Sequence, residues 1–184
     1  MHHDPESVTA FHWPVAVGRV IAAPSNEVWN VISSPGMLPL YHPFCTQNPV
    51  HNWPGIAAHD EIHYFNGRVL DRHFTDWFED SGYDLHIGRP GGRRSCVSWR
   101  IRELDERRTR IIITIFPHAV QHLPIVIRWV PHLMTIRPQL KRYLDSVVRG
   151  LDRFITIGEP VERNQFGPHP WFSPPVEGDG DGAS

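Results

Sequence analysis

Histidine is the residue type with the most chemistry to offer in this sequence, at 13 copies. Two pairs stand four residues apart: His59 and His63 in "HDEIH", and His118 and His122 in "HAVQH". That spacing turns two imidazoles toward one zinc ion only on a helix. The first pair falls at the start of a strand-like run, where the spacing fails. The second could open a helix but has no evident third ligand. The expectation is no metal and no other cofactor. No GxSxG, catalytic cysteine motif, P-loop or dinucleotide-binding glycine pattern is present. Cys45 and Cys96 occupy unrelated contexts without a CxxC, and read as two reduced, partly buried thiols of a cytoplasmic protein. Acid–base chemistry on a bound substrate stays open, because His or Tyr in an apolar site acquires a useful pKa.

One charged residue stands out by its neighbours. In "VLDRHFTDWFE", period-two alternation puts Leu70, Phe74 and Phe78 on one strand face with Arg72 and Asp76. A buried Arg or Asp is costly unless it is paired or hydrogen-bonded. If this face is turned inward, Arg72 is an anchor for a carboxylate, phosphate or phenolate. If it is turned to solvent, His73 and Trp77 point inward instead. Both orientations fit the pattern.

The surrounding elements must decide between them. The chain has 184 residues, enough for one domain with a full core, and its 40% hydrophobic and 21% charged fractions are ordinary for a globular protein. A formal net charge of -2 argues against a general nucleic-acid binder. The Arg-rich "RRSCVSWRIRELDERRTR" is interleaved with acids and reads as a solvated strand face and hairpin tip, with a phosphate-binding patch as the alternative. The N-terminus lacks the apolar run of a signal peptide, and no apolar run approaches the roughly 20 residues that span a membrane.

Residues 13–23 predict a first strand, with Val15, Val17 and Arg19 on one face, ended by Pro24. Ser25 is placed as a helix N-cap, Val28, Trp29 and Ile32 form an apolar stripe, and Pro35 stops it. Residues 36–41 predict a second short helical turn. Period-two runs then follow at 48–53, 60–65, 69–79, 83–88, 95–104 and 110–116, joined by turn-like segments, which describes an antiparallel meander. Pro138 opens a long amphipathic helix with Leu140, Leu144, Val147, Val148, Leu151, Phe154 and Ile155 on one side. Gly158 is its C′ residue and Pro160 its stop. Residues 1–12 are expected to be an N-terminal extension. Residues 161–184 are expected to be a tail whose aromatic part folds back and whose last residues are disordered.

This order, carried by "RVIAAPSNEVWNVISSPG", "WRIRELDERRTRIIITIF" and "LKRYLDSVVRGLDRFI", resembles the START-like, Bet v 1-like helix-grip superfamily, whose bacterial members include SRPBCC and polyketide cyclase/dehydrase proteins. The resemblance covers residues 13–158. It implies an α+β fold: a curved antiparallel sheet of about seven strands gripping a long C-terminal helix, with two short helices after strand 1. It also implies an internal cavity over residues 13–160, since a curved sheet and a single helix cannot touch along their whole length. Tyr41, Tyr64, Arg72, Trp99 and Trp129 are the residues expected to line it. Tyr41 is placed near the mouth, and His42 beside it reads first as surface-exposed.

The apolar insertion at 119–137, with prolines at 124, 131 and 138, reads either as a lid or as a packed segment without a gating role. Peripheral membrane contact would run through 123–134. The expected function is binding or transfer of a hydrophobic or amphipathic small molecule, such as a lipid, isoprenoid or polyketide. The alternatives are a cyclase/dehydratase-type enzyme without metal or nucleotide cofactor, and a protein- or membrane-interaction module. The oligomeric state is not legible.

Overall fold

The computed structural model describes residues 13–118 and 132–174. Strand β1 (Val15–Ile21) leads into helices α1 (Ser25–Ser33) and α2 (Leu38–Tyr41). Seven strands follow: β2 (Cys45–Gln47), β3 (Val50–Asn52), β4 (His59–Tyr64), β5 (Val69–Phe78), β6 (Gly82–Gly88), β7 (Arg94–Asp105) and β8 (Arg108–Phe116). A π-helical turn (His132–Ile136) then runs into the long helix α3 (Arg137–Ile157). The sheet order is β1-β8-β7-β6-β5-β4-β2, with β3 also paired to β4, and neighbouring strands are antiparallel. The α+β helix-grip architecture is therefore present, with eight strands where about seven are expected. The difference lies in two three-residue strands, β2 and β3, each held to β4 through an irregular register.

Helix α3 lies against the inner face of the sheet for the reason its sequence states. Leu140, Leu144, Val147, Val148 and Leu151 recur at helical spacing and are all buried. Tyr143, Ser146 and Gly150 widen that face. Pro138 sits in the first turn, where its missing N–H costs nothing, and Gly158 ends the helix at φ 80° with its N–H bonded to Phe154 O. Arg19 of β1 reaches Asp152 of α3 at 2.6 Å, tying the helix to the sheet edge.

Helix α1 buries Val28, Trp29 and Ile32 as expected. Its start differs: Pro24 is the cap, and Ser25 lies inside the helix with its hydroxyl donated to Glu103 Oε2 at 2.9 Å. An aromatic cluster collects here. Trp29 and Trp53 each pack edge-on against Trp77, and Tyr83 stacks on Trp77. Glu79 accepts from the indole N–H groups of both Trp29 and Trp77.

Helix α2 is held between α3 and the C-terminal tail. Val161 N–H bonds Leu40 O, and Asn164 N–H bonds Pro43 O, so the chain after α3 folds back across α2. On the other side, the Tyr41 carbonyl sits against Gly150, where an added Cβ would lie 2.0 Å from Tyr41 O. The insertion at 119–137 falls on residues outside the description up to 131. Within its described end, Met134 is exposed and Ile136 packs on the core. Trp129 lies outside the described residues.

Gly150 generates the first prediction. Ala in place of a helix-interior glycine ordinarily stabilises by about 1 kcal/mol. Here Gly150→Ala is expected to destabilise by about 2–3 kcal/mol, because α2 must move off α3. Urea denaturation reads the sign, and a stabilised variant would contradict the close approach.

Candidate functional site

Between α3 and the concave face of the sheet lies a cavity of about 440 Å³. Its walls are mainly aliphatic, with Ile62, Leu85, Val97 and Ile113 from the sheet and Leu144 and Val147 from α3. Tyr64, Trp99, Tyr143 and Phe172 are the aromatic side chains of the lining. Trp29, Trp53, Phe74 and Trp77 thus fill the core beside α1 instead of lining the cavity.

Arg72 faces this interior and is buried, with 6% of its surface exposed. Its guanidinium binds Asp60 through two bonds, Nε to Oδ1 at 2.7 Å and Nη2 to Oδ2 at 2.5 Å. Asn48 donates to Asp60 Oδ2 at 2.9 Å. The residues come from facing positions of β4 and β5, where Asp60 pairs with Arg72 in register. Burial favours the neutral guanidine, but the charge and hydrogen bonds of Asp60 outweigh it and hold Arg72 above its ordinary range. The free anchor read from the sequence is therefore already occupied by a carboxylate of the same chain.

The two orientations of β5 both hold in part. A register shift between Phe74 and Asp76 inserts Thr75 into the strand. Arg72 and Phe74 point inward before it, and Trp77 packs on the core after it. Phe78, expected on the same face as Arg72, is exposed and lies under the Arg100 guanidinium.

Tyr41 is buried away from the cavity lining, beside Arg72, Asp60 and Tyr83, and burial pushes its hydroxyl well above the ordinary range. His42 is buried too, with 2% exposed, where surface exposure was expected. The interrupted short helix explains this. His42 follows the last turn of α2, with its N–H on Leu38 O, and its extended backbone turns the ring inward.

There His42 Nε2 meets Tyr143 Oη at 2.8 Å, and Tyr143 Oη meets Tyr64 Oη at 2.9 Å. The Phe44 N–H donates to His42 Nδ1 at 3.3 Å, which leaves the ring proton of a neutral imidazole on Nε2. That proton goes to Tyr143. The two tyrosines then hold two hydroxyl hydrogens and need one for the bond between them. One hydroxyl hydrogen is left over, and both rings line the cavity. Burial, then the charge of Arg72, lower the His42 pKa from 6.5 to about 3. Burial raises both tyrosines above their ordinary range. The relay is neutral near pH 7 and can donate a hydrogen bond to a ligand oxygen. Burial also pushes Cys45 up to about 12 and Cys96 up to about 11, so neither supplies a thiolate nucleophile at neutral pH.

Tyr143 was missed in the sequence, although it stands three residues after Leu140 and four before Val147. A tyrosine on the apolar stripe of a long helix carries its hydroxyl into the core, where it needs a partner.

The histidines do not assemble as the i, i+4 pairs of the sequence. His63 and His51 both reach Glu61, and His118 Nδ1 meets Ser95 Oγ; His122 lies outside the described residues. On the outer face of the sheet, His59, Asp71 and His73 bring one ligand atom each within 4.8 Å of one another, a set of metal-ligating types drawn from two strands. The His59 and His73 rings stack at 4.1 Å and 10°, and the Arg94 guanidinium donates to His73 Nε2. Two parallel rings cannot aim lone pairs at one ion without turning, since each lone pair lies in its own ring plane.

The C-terminal tail forms part of the cavity mouth. Phe172 stacks on Tyr64 with centroids 4.5 Å apart and packs on Tyr143. His169 Nε2 bonds Gln139 O, and Asn66 donates to Trp171 O.

No protein-family description matches the chain, and no curated protein matches its sequence. Solved structures do match. DynU16, from the dynemicin biosynthetic locus, aligns at TM-score 0.61 and 18% identity over 80% of this chain and 48% of its own. The chain thus spans about half of DynU16. MLL2253 from Mesorhizobium loti aligns at TM-score 0.61 and 14% identity over 80% of this chain and 99% of its own. Aha1 from Colwellia psychrerythraea aligns at TM-score 0.59 and 11% identity over 80% and 98%. These likenesses show the helix-grip fold. No helix among the described residues is long and apolar enough to cross a membrane.

The buried imidazole gives a pH prediction. His42 stays neutral in the folded state down to pH about 3, whereas in the unfolded chain it takes up a proton below 6.5. Its contribution to stability is fully present above pH 6.5 and is lost as the pH falls toward 3. The slope is about 1.4 kcal/mol per pH unit. Replacing His42→Gln removes that proton, so the stability gap between the wild type and the variant should narrow by this slope between pH 6 and 4. Denaturant titrations at several pH values measure it, and a gap independent of pH would contradict the assignment.

Proposed function

We propose that the chain binds an apolar or amphipathic small molecule in the cavity between α3 and the sheet. One observation carries the reading: a cavity of about 440 Å³ with aliphatic walls and a single unused hydroxyl hydrogen at the Tyr64–Tyr143 pair. The volume falls within the range of about 300–1,000 Å³ usual for small-molecule sites, which combine apolar walls with a few placed polar groups. A lipid, isoprenoid or polyketide-like molecule with an oxygen acceptor suits it. In the deep wall of the cavity the charge of Arg72 is balanced by Asp60, so an apolar body meets no unpaired charge at that point.

A second reading is an enzyme of the cyclase/dehydratase type, and the relay is what favours it. A neutral donor held in a water-poor cavity stabilises negative charge developing on a carbonyl oxygen. His42, Tyr143 and Tyr64 would then supply that donor, with proton transfer through the chain of hydrogen bonds. DynU16, to which the fold is similar, comes from the dynemicin biosynthetic locus, and this accords with either reading.

Native mass spectrometry of protein purified from its own host tests the proposal. The expected result is a retained small molecule that is released on unfolding. Protein that is empty, and that also takes up neither dodecanol nor dodecanoate, would contradict it. In a Tyr64→Phe/Tyr143→Phe variant, pure binding predicts that the same molecule is retained with weaker affinity. Catalysis predicts that a different, unconverted molecule accumulates.

A further inference from the structure

The charges on the cavity lining are of one sign. Arg68, Arg72, Arg89 and Arg93 line it, and no Asp or Glu does. Arg72 is neutralised by Asp60 from behind the lining. The other three stand at one end of the sheet, Arg68 in the β4–β5 turn and Arg89 and Arg93 in the β6–β7 connection. None of the three is paired with a carboxylate among the described residues.

This concentration is unusual for a protein with net charge -2. Like charges gathered without partners raise each other's energy, and low-dielectric walls focus their field into the opening. The arrangement is held by packing: Arg68 lies 5.5 Å from the centre of the Phe172 ring, a cation–π contact at the mouth. Arg93 is close enough to His118 to help lower its pKa, after the larger effect of burial. Guanidinium groups form two parallel hydrogen bonds to carboxylates and phosphates.

We infer that the ligand is an amphipathic acid, with its apolar body in the cavity and one carboxylate or phosphate head at the mouth, held by Arg68, Arg89 and Arg93. This rests on the cavity being a ligand site, as proposed above. It adds what the apolar walls alone do not select, an acid over the alcohol or ester of the same chain length.

The test compares dodecanoate, dodecyl phosphate and dodecanol by calorimetric titration, with the wild-type chain and an Arg68→Gln/Arg89→Gln/Arg93→Gln variant, at low and high salt. At low salt the acids should bind at least about tenfold more tightly than the alcohol, with the preference shrinking as salt rises. The variant should lose the preference and keep its affinity for dodecanol. The stronger of the two acids identifies the head group. Equal binding of acids and alcohol, or a preference that survives in the variant, would overturn the inference and leave the cavity reading standing. Failure of all three probes to bind would overturn both. Circular dichroism of the variant guards against misfolding, and the single Arg89→Gln and Arg93→Gln variants in an exposed loop give the same readout if the triple variant does not fold.

Discussion

The bond between Asp60 and Arg72 sets the terms for the rest of the interior. An ion pair is taken out of water on adjacent strands, where Asn48 also donates to Asp60 and Tyr83 is hydrogen-bonded to Arg72. Removing one member of such a pair typically costs about 3–5 kcal/mol, because the other charge is left buried and alone. Three consequences follow. The deep wall of the cavity carries a charged side chain, Arg72, whose charge Asp60 balances. The guanidinium, added to burial, keeps His42 neutral. With His42 neutral and its Nδ1 occupied, the relay has one orientation at the imidazole and one hydrogen to spare at the tyrosines.

The cavity itself exists because α3 meets the curved sheet unevenly. Near α2 the contact is backbone-close, with Gly150 against the Tyr41 carbonyl and the tail folded over the outside. Near α1 the aromatic cluster around Trp77 fills the space. Between them the inward side chains are mainly aliphatic and too short to bridge the gap, and there the walls stay apart. Polar function is then sorted by depth: a neutral donor inside, and unpaired cations at the mouth.

Much of this was legible in the sequence, and the failures have physical causes. Period-two and 3.6-residue patterns located the long strands and α3, because each of those elements buries one continuous face. The run at 48–53 contains β3, but β2 was missed, since three residues are too few for periodicity to register. Extending strict alternation through Thr75 put Phe78 on the wrong face, and a one-residue bulge leaves no trace in an alternation pattern. Arg72 was correctly singled out as a residue that must be paired if buried, but its partner is twelve positions away, across a strand register that only the fold supplies. Tyr64 and Trp99 line the cavity, Tyr41 supports α2, and Trp129 falls outside the described residues. His42 was read as exposed because it ends the second short helix near the expected cavity mouth, and its inward-facing ring meets Tyr143, 101 residues further along the chain.

The central claim is that a ligand enters the space between α3 and the sheet, and the most direct measurement is an isotope-edited nuclear Overhauser spectrum of the labelled chain with dodecanoate. The account predicts contacts from the probe's methylene chain to inward residues of both walls, Ile62, Leu85 and Trp99 on the sheet and Leu144 on α3. Contacts confined to exposed apolar side chains such as Ile56 and Met134, with none to the inner walls, would contradict it.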